Sequence, residues 1–318
     1  RCTSYCFTLL VVLLVAVACK SKSRMTITID KQIQLLDIPS ASGIENDGEY
    51  LWVIGDNSPF IFQMNKEYHI QSKYTISNGL KTEHLESTIS KDEKKDFEAM
   101  TLIDWEGEKC IFLFGSGSKS PQRNDGLLIS LQGGVIETFD LTEFYELIQE
   151  EAKLDEEDFN IEAAAILEDK LYLFNRGKNK LISMKTKHFI DFISGHEESV
   201  KLKASTIDLP SLNGVKAGFS GATTDLENKR ILFSASVENT SNWVDDGAVY
   251  GSYIGIIVPD ELQHHYTPDC TLLEKDKTLL IKVESLTVIE SNKEKTKVVA
   301  VTDSDGSASE LLEVTIMN

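Results

Sequence analysis

Basic residues are scarce in this chain. Lys and Arg number 32 against 51 Asp and Glu, a net charge of −19 over 318 residues. Phosphate contacts need clustered Lys and Arg, so this balance argues against a nucleic-acid partner. It fits solubility or the binding of cations. Cysteine is scarce too, five in all. Cys2 and Cys6 fall in an N-terminal leader, and Cys110 and Cys270 stand alone. Isolated cysteines are not a disulfide framework, and no zinc spacing is present. Cys110 opens the apolar run CIFLF and reads as a buried strand residue; Cys270, in HYTPDC, reads as polar loop. The chain has no G-x-S-x-G, the elbow of a serine hydrolase. GFSGA at 218–222 comes nearest but opens a strand. FGSGS at 114–118 has no helix after it to cradle phosphate. The six histidines show no ligand spacing, and adjacent His264 and His265 should point apart.

Long apolar runs are also missing. FTLLVVLLVAVA, residues 7–18, has 12 residues. That is short for a bilayer span and right for a signal-peptide core. AVAC then ends on Cys19, and polar KSKS follows. This pattern resembles a bacterial lipoprotein signal. The expectation is a signal peptide over 1–18, lipid on Cys19, a linker over 19–26 and one domain over 27–318. A plain secretory peptide and an uncleaved anchor are the other readings. The lipoprotein reading puts the protein in the cell envelope, on the outer membrane or the periplasmic side of the inner membrane. It would touch membrane through its lipid alone and act as a monomer.

What the chain does have is a repeat. The apolar runs LWVIGD, IFLFGS, LYLFNR, ILFSAS and VVAVTD end at residues 56, 116, 176, 236 and 303. Successive spacings are 60, 60, 60 and 67. A shorter segment precedes each run, opening at Ser42, Glu98, Glu162, Ser220 and Glu284. The next residue is always small: Gly43, Ala99, Ala163, Gly221 and Ser285. Further β-prone strands follow each run. Regular units of four short strands predict an all-β chain, a β-propeller of five four-stranded blades. Six blades remain open if the long connections hide strands, and two packed β-domains are the outside alternative. The last unit stops at its third strand, so TITIDKQIQLLDI near the N-terminus should supply the fourth and close the ring. LTEFYELIQEEA, 141–152, reads as a helix with Phe144, Leu147 and Ile148 on one face. The charged stretch 83–96 reads as a solvated loop.

Propeller geometry pairs the start of each first strand with the end of the second. Ser42 should fall near Asp56, Glu98 near Ser116, Glu162 near Arg176, Ser220 near Ser236 and Glu284 near Asp303. One channel mouth would carry them all. The candidate ligand-binding set is Asp56, Glu98, Ser116, Glu162, Arg176, Ser236, Glu284 and Asp303. Loop residues Trp243, Asp245 and Asp246 belong to the same face. Glu98, Glu162 and Glu284 have two readings. Each carboxylate could accept backbone N–H groups of a neighbouring blade, or the three could hold a divalent cation, calcium or magnesium. No cofactor is fixed by the sequence. DSDG at 303–306 reads as a turn before a calcium loop.

SGIENDGEYLWVIGDNS, DFEAMTLID…FLFGSGS and NIEAAAILEDKLYLFNRG resemble an uncharacterised group of bacterial lipoprotein propellers that is similar to the esterase-like domain of phytase. Asp96, Glu98, Asn160, Glu162, Arg176 and Gly177 carry the match, which spans most of 36–318. The resemblance implies a propeller fold and leaves the chemistry open. Propeller phytases pair acidic calcium ligands with basic phosphate contacts; here only Arg176 and Arg123 offer the basic half. Two functions follow. One is a non-catalytic propeller binding a small molecule, glycan or protein. The other is a metal-assisted hydrolase of an ester, lactone or phosphoester.

Overall fold

The second strand of each unit is buried on both faces, which is why it reads as an unbroken apolar run. The structure, a computed structural model, describes residues 25–76, 89, 94–240, 247–303 and 308–318. Blade I comprises β2 (Ala41–Asn46), β3 (Leu51–Gly55), β4 (Phe60–Met64) and β5 (Ile70–Thr75). The long β1 (Thr26–Pro39) precedes it. Blade II comprises β6 (Phe97–Trp105), β7 (Glu108–Gly115), β8 (Asp125–Ser130) and β9 (Val135–Asp140). Blade III comprises β10 (Ile161–Leu167), β11 (Lys170–Asn175), β12 (Lys180–Lys185) and β13 (Lys203–Ile207). A hairpin of β14 (Ser211–Leu212) and β15 (Val215–Lys216) follows. Blade IV holds β16 (Gly218–Asp225), β17 (Arg230–Asn239), β18 (Ala248–Ile257) and, after a detour, β20 (Asp269–Leu272). In that detour β19 (His265–Tyr266) pairs parallel to β13 and gives blade III a fifth strand. Blade V holds β21 (Lys282–Ser291), β22 (Lys295–Asp303) and β23 (Ala308–Met317).

The ring closes as the repeat predicts. β1 runs antiparallel to β23, from Thr26 opposite Met317 to Pro39 opposite Ala308. The inner strands β2, β6, β10, β16 and β21 contact one another in that order, and β21 meets β2 again. Five apolar clusters hold the molecule, one between each pair of neighbouring blades. This is a five-bladed propeller, and six blades are excluded.

Three sequence expectations change in detail. The helix α1 (Thr142–Ala152) forms, but it buries Phe144, Tyr145 and Ile148 and leaves Leu147 half-buried. A second helix, α2 (Thr186–Ile193), lies between β12 and the fourth strand β13 of blade III, and its Phe189 is fully buried. Cys270 sits in β20, half-buried, and not in a loop. The rings of His264 and His265 stack at 4.9 Å and do not diverge. Cys110 is buried as expected. Residues 1–24, with the leader and Cys19, and the loop residues Trp243, Asp245 and Asp246 lie outside the described residues, as do 304–306 of DSDG.

Candidate functional site

Every inner strand is bulged at the same place. The register skips Ser42 in blade I, Glu98 in II, Glu162 in III, Ser220 in IV and Glu284 in V. A bulge adds one unpaired residue and re-aims its side chain. The repeated Ser or Glu is therefore the bulge itself. The small residue after it is demanded by neighbouring blades. A Cβ on Gly221 would lie 2.5 Å from Ser285 Cα in blade V, and one on Gly43 would meet the Met100 sulfur of blade II at 2.9 Å.

The ends of the second strands reach the same mouth, two residues off the expected pairing. Asp56 N–H donates to Ser40, Ser116 N–H to Asp96 and Arg176 N–H to Asn160. Ser236 faces Gly218 and Asp303 faces Lys282. Serine and glutamate bulges then divide in role. Ser42 and Ser220 are buried and hydrogen-bonded to backbone carbonyls of the next blade. The glutamates meet charged and polar side chains instead.

Two sectors result. In the first, the Lys94 ammonium bridges Asp56 and Asp96, with Asp96 at 2.6 Å. Asp96 also accepts from Arg123 at 2.7 Å and from Ser116 Oγ at 2.6 Å. Asp96 holds a φ of 56°, a left-handed backbone that Asp tolerates better than most residues. Oxygens of Asp56, Asp96 and Glu98 lie within 4.8 Å of one another, a grouping that can hold a metal ion. In the second sector, Lys282 pairs with Glu284 at 2.8 Å and with Glu238 at 3.5 Å. Arg176 reaches Glu238 at 3.5 Å and Ser236 Oγ at 2.9 Å. Glu162 sits between the sectors and accepts from Asn160 Nδ2 at 2.7 Å. Of the three glutamates weighed as metal ligands, only Glu98 belongs to the 4.8 Å grouping.

Carboxylates outnumber cations here, and their protonation reflects it. Burial pushes Glu98 well above the usual carboxylate range, and the charges of Asp96, Asp56 and Glu162 add to the rise. Burial also raises Glu162, against the pull of Arg176 and Lys282. Glu284 is pushed up to about 8 by burial, despite Lys282. Burial opposes ionisation of Asp96, but Lys94 and Arg123 outweigh it and hold the carboxyl below its usual range. Burial likewise pulls on the Lys282 ammonium, yet Glu284 and Glu238 keep it well above its usual value. Protonated glutamates can donate hydrogen bonds, or exchange their protons for a cationic group.

Three of these residues carry no repeat signal. Lys94 lies near the end of a stretch that reads as a solvated loop, yet it is 8% exposed. Lys282 holds the position of Ser40, Asp96, Asn160 and Gly218 in the other blades, but no residue type repeats there, and Glu238 lies two residues past the end of the ILFSAS run. Glu45, three residues past the first bulge, is a further case. It accepts the backbone N–H of Asn46 at 3.3 Å, and burial pushes it up to about 8.

Comparison with known proteins bears on the fold. Myxococcus xanthus glutaminyl cyclase is similar over 92% of this chain and 97% of its own, at 10% identity and a TM-score of 0.51. PQQ-bound aldose sugar dehydrogenase from Streptomyces coelicolor covers 92% and 98%, at 10% identity and a TM-score of 0.45. Regucalcin from Agrobacterium tumefaciens, a calcium-binding protein, covers 91% and 95%, at 10% identity and a TM-score of 0.41. At 10% identity the likeness to the glutaminyl cyclase is one of fold. No curated protein matches the sequence. The pattern of one sequence family matches residues 37–316, nearly the whole propeller, and the chain belongs to it: the Family of unknown function (DUF6929).

Proposed function

We propose that this chain is an envelope lipoprotein whose propeller binds a small molecule, glycan or protein ligand at the charged channel mouth. One observation carries the reading. Glu98 and Glu162 leave bulges of adjacent inner strands and have no ion pair with a described residue, while their neighbours are paired. Polar groups held unpaired on a rigid frame are what a ligand completes. The test is a melting-temperature screen of the purified protein against amino acids, sugars and short peptides. A probe that raises the midpoint in wild type and fails in Glu98→Gln supports the reading. A screen with no shift from any probe overturns it.

The second reading is the metal-assisted hydrolase of the phytase-like resemblance. The grouping of Asp56, Asp96 and Glu98 favours it. The Lys94 ammonium within that grouping weighs against it, because the ion would have to displace a buried cation. Calcium or magnesium would stabilise the fold by mass action. Melting with chelator and with added calcium, in wild type and Glu98→Gln, tests this. No shift in wild type at millimolar calcium rejects it. Fold alone does not choose between the readings.

A further inference from the structure

Three additions to the four-strand repeat meet at the outer strands of blade III. The helix α1 comes from the connection between blades II and III, and Val200 and Leu202 come from the stretch between α2 and β13. His264 comes from the detour between β18 and β20, where its carbonyl accepts the Thr206 N–H at 2.8 Å. Together they enclose a cleft of about 680 Å³, room for a small organic molecule. Val200, Leu202 and Ala204 give it an apolar lining, half-buried and packed on the cluster between blades II and III. Additions carried on a rigid frame are where binding is usually built.

The charge in this cleft is unlike that of the chain. Lys153, Lys180 and Lys203 line it in a protein of net charge −19, and none of them has an ion pair with a described residue. Lys180 opens β12 opposite Thr206 of β13, and its Nζ donates to the Thr206 hydroxyl at 2.8 Å. That hydroxyl accepts here and keeps its own proton to donate. Burial and the like charges of Lys178 and Lys153 hold the Lys180 ammonium below its usual value. A half-buried ammonium without a counter-charge, beside a hydroxyl donor, suits an anion. The helix wall limits which anion. Glu150 and Glu151 of α1 also line the cleft, so a multiply charged group such as phosphate would be repelled. The net charge of the chain likewise keeps an anionic membrane surface away.

We propose that this cleft takes a small organic monoanion, a carboxylate on an apolar body, with Lys180 and Thr206 holding the carboxylate and Val200, Leu202 and Ala204 the body. The site uses no residue of the channel mouth and goes beyond the reading above, which stands or falls separately.

Titration calorimetry of the purified protein with octanoate tests it. Octan-1-ol, octylamine, acetate and inorganic phosphate are the comparisons. Octanoate should bind at one site per chain. Octan-1-ol and octylamine should bind about tenfold or more weaker, the scale of a lost charge-assisted hydrogen bond. Acetate lacks the body and should bind weaker still. Lys180→Met keeps the length of the stem and should weaken octanoate about tenfold while leaving octan-1-ol unchanged. Thr206→Val keeps the shape and should weaken octanoate about threefold. Octan-1-ol binding as tightly as octanoate overturns the proposal, and so does uptake of octanoate at many sites. No binding of octanoate at millimolar concentration overturns it, as does phosphate binding in its place. Unchanged octanoate affinity in both variants removes the carboxylate seat. If Lys180→Met fails to fold, Thr206→Val carries the test.

Discussion

Ser220 Oγ donates to the main-chain carbonyl of Val283 at 2.6 Å, tying the bulge of blade IV to the residue just before the bulge of blade V. Ser42 does the same to Phe97 at 2.8 Å, and Arg176 Nη1 does so to Phe219 at 3.0 Å. The bulges thus also latch one inner strand to the next. Ser220→Ala leaves a buried carbonyl unmatched and should cost about 1–2 kcal/mol. Urea unfolding measures it. An unchanged midpoint would mean that the latch adds nothing.

Removing β1 should open the ring. A chain starting at Asp37 keeps only the last residues of that strand and exposes the edge of β23. An exposed edge pairs with other chains. Size-exclusion chromatography should then report aggregate. A truncated protein that stays monomeric and melts as the full chain does would refute closure by the N-terminal strand.

Stability should fall as pH rises through the neutral range. Burial pushes Glu45 up to about 8, and Glu284 likewise, from an ordinary value of 4.5. Between those values the folded carboxyl keeps its proton and the unfolded one has lost it. The stabilisation is therefore complete below about pH 4.5 and is lost as pH rises towards 8, by at most about 1.4 kcal/mol per pH unit for each group. Glu45→Gln should flatten the profile of melting temperature against pH between 5 and 8. A variant as steep as wild type would show that Glu45 does not titrate in this window.

Lys94→Met removes the cation shared by Asp56 and Asp96, whose side chains are 20% and 6% exposed. Breaking a buried pair in this way should cost about 3 kcal/mol. Calcium should recover part of the loss, since the oxygens of Asp56, Asp96 and Glu98 lie within 4.8 Å of each other. Melting curves with and without calcium decide both points. Wild-type stability in the variant would deny Lys94 its role.

Cys19→Ser should release the protein from membranes into the soluble periplasmic fraction, because the lipid is its proposed anchor. Fractionation and immunoblotting follow this. Unchanged partition with membranes would reject the lipoprotein reading.

The sequence by itself determined the architecture. Its period of about 60 residues survives because every blade must present one fully buried strand and one bulged strand to the axis, and both demands act locally. LWVIGD and NIEAAAI are legible for that reason, and so is the N-terminal strand that the last unit lacks. The mouth was legible only where it follows the period, at the bulge residues and the strand ends. Tertiary structure alone decided which of these carry paired charge. Lys94 reads as part of a solvated run until the fold buries it between carboxylates of two blades. Lys282 and Glu238, 44 residues apart, meet because blades IV and V are neighbours in the ring. Asn160 Oδ1 has no partner among the described residues because the packing that buries it there supplies a partner for only the other end of its amide. Period is a property of the chain, whereas charge pairing across blades depends on distances that exist only once the ring has closed.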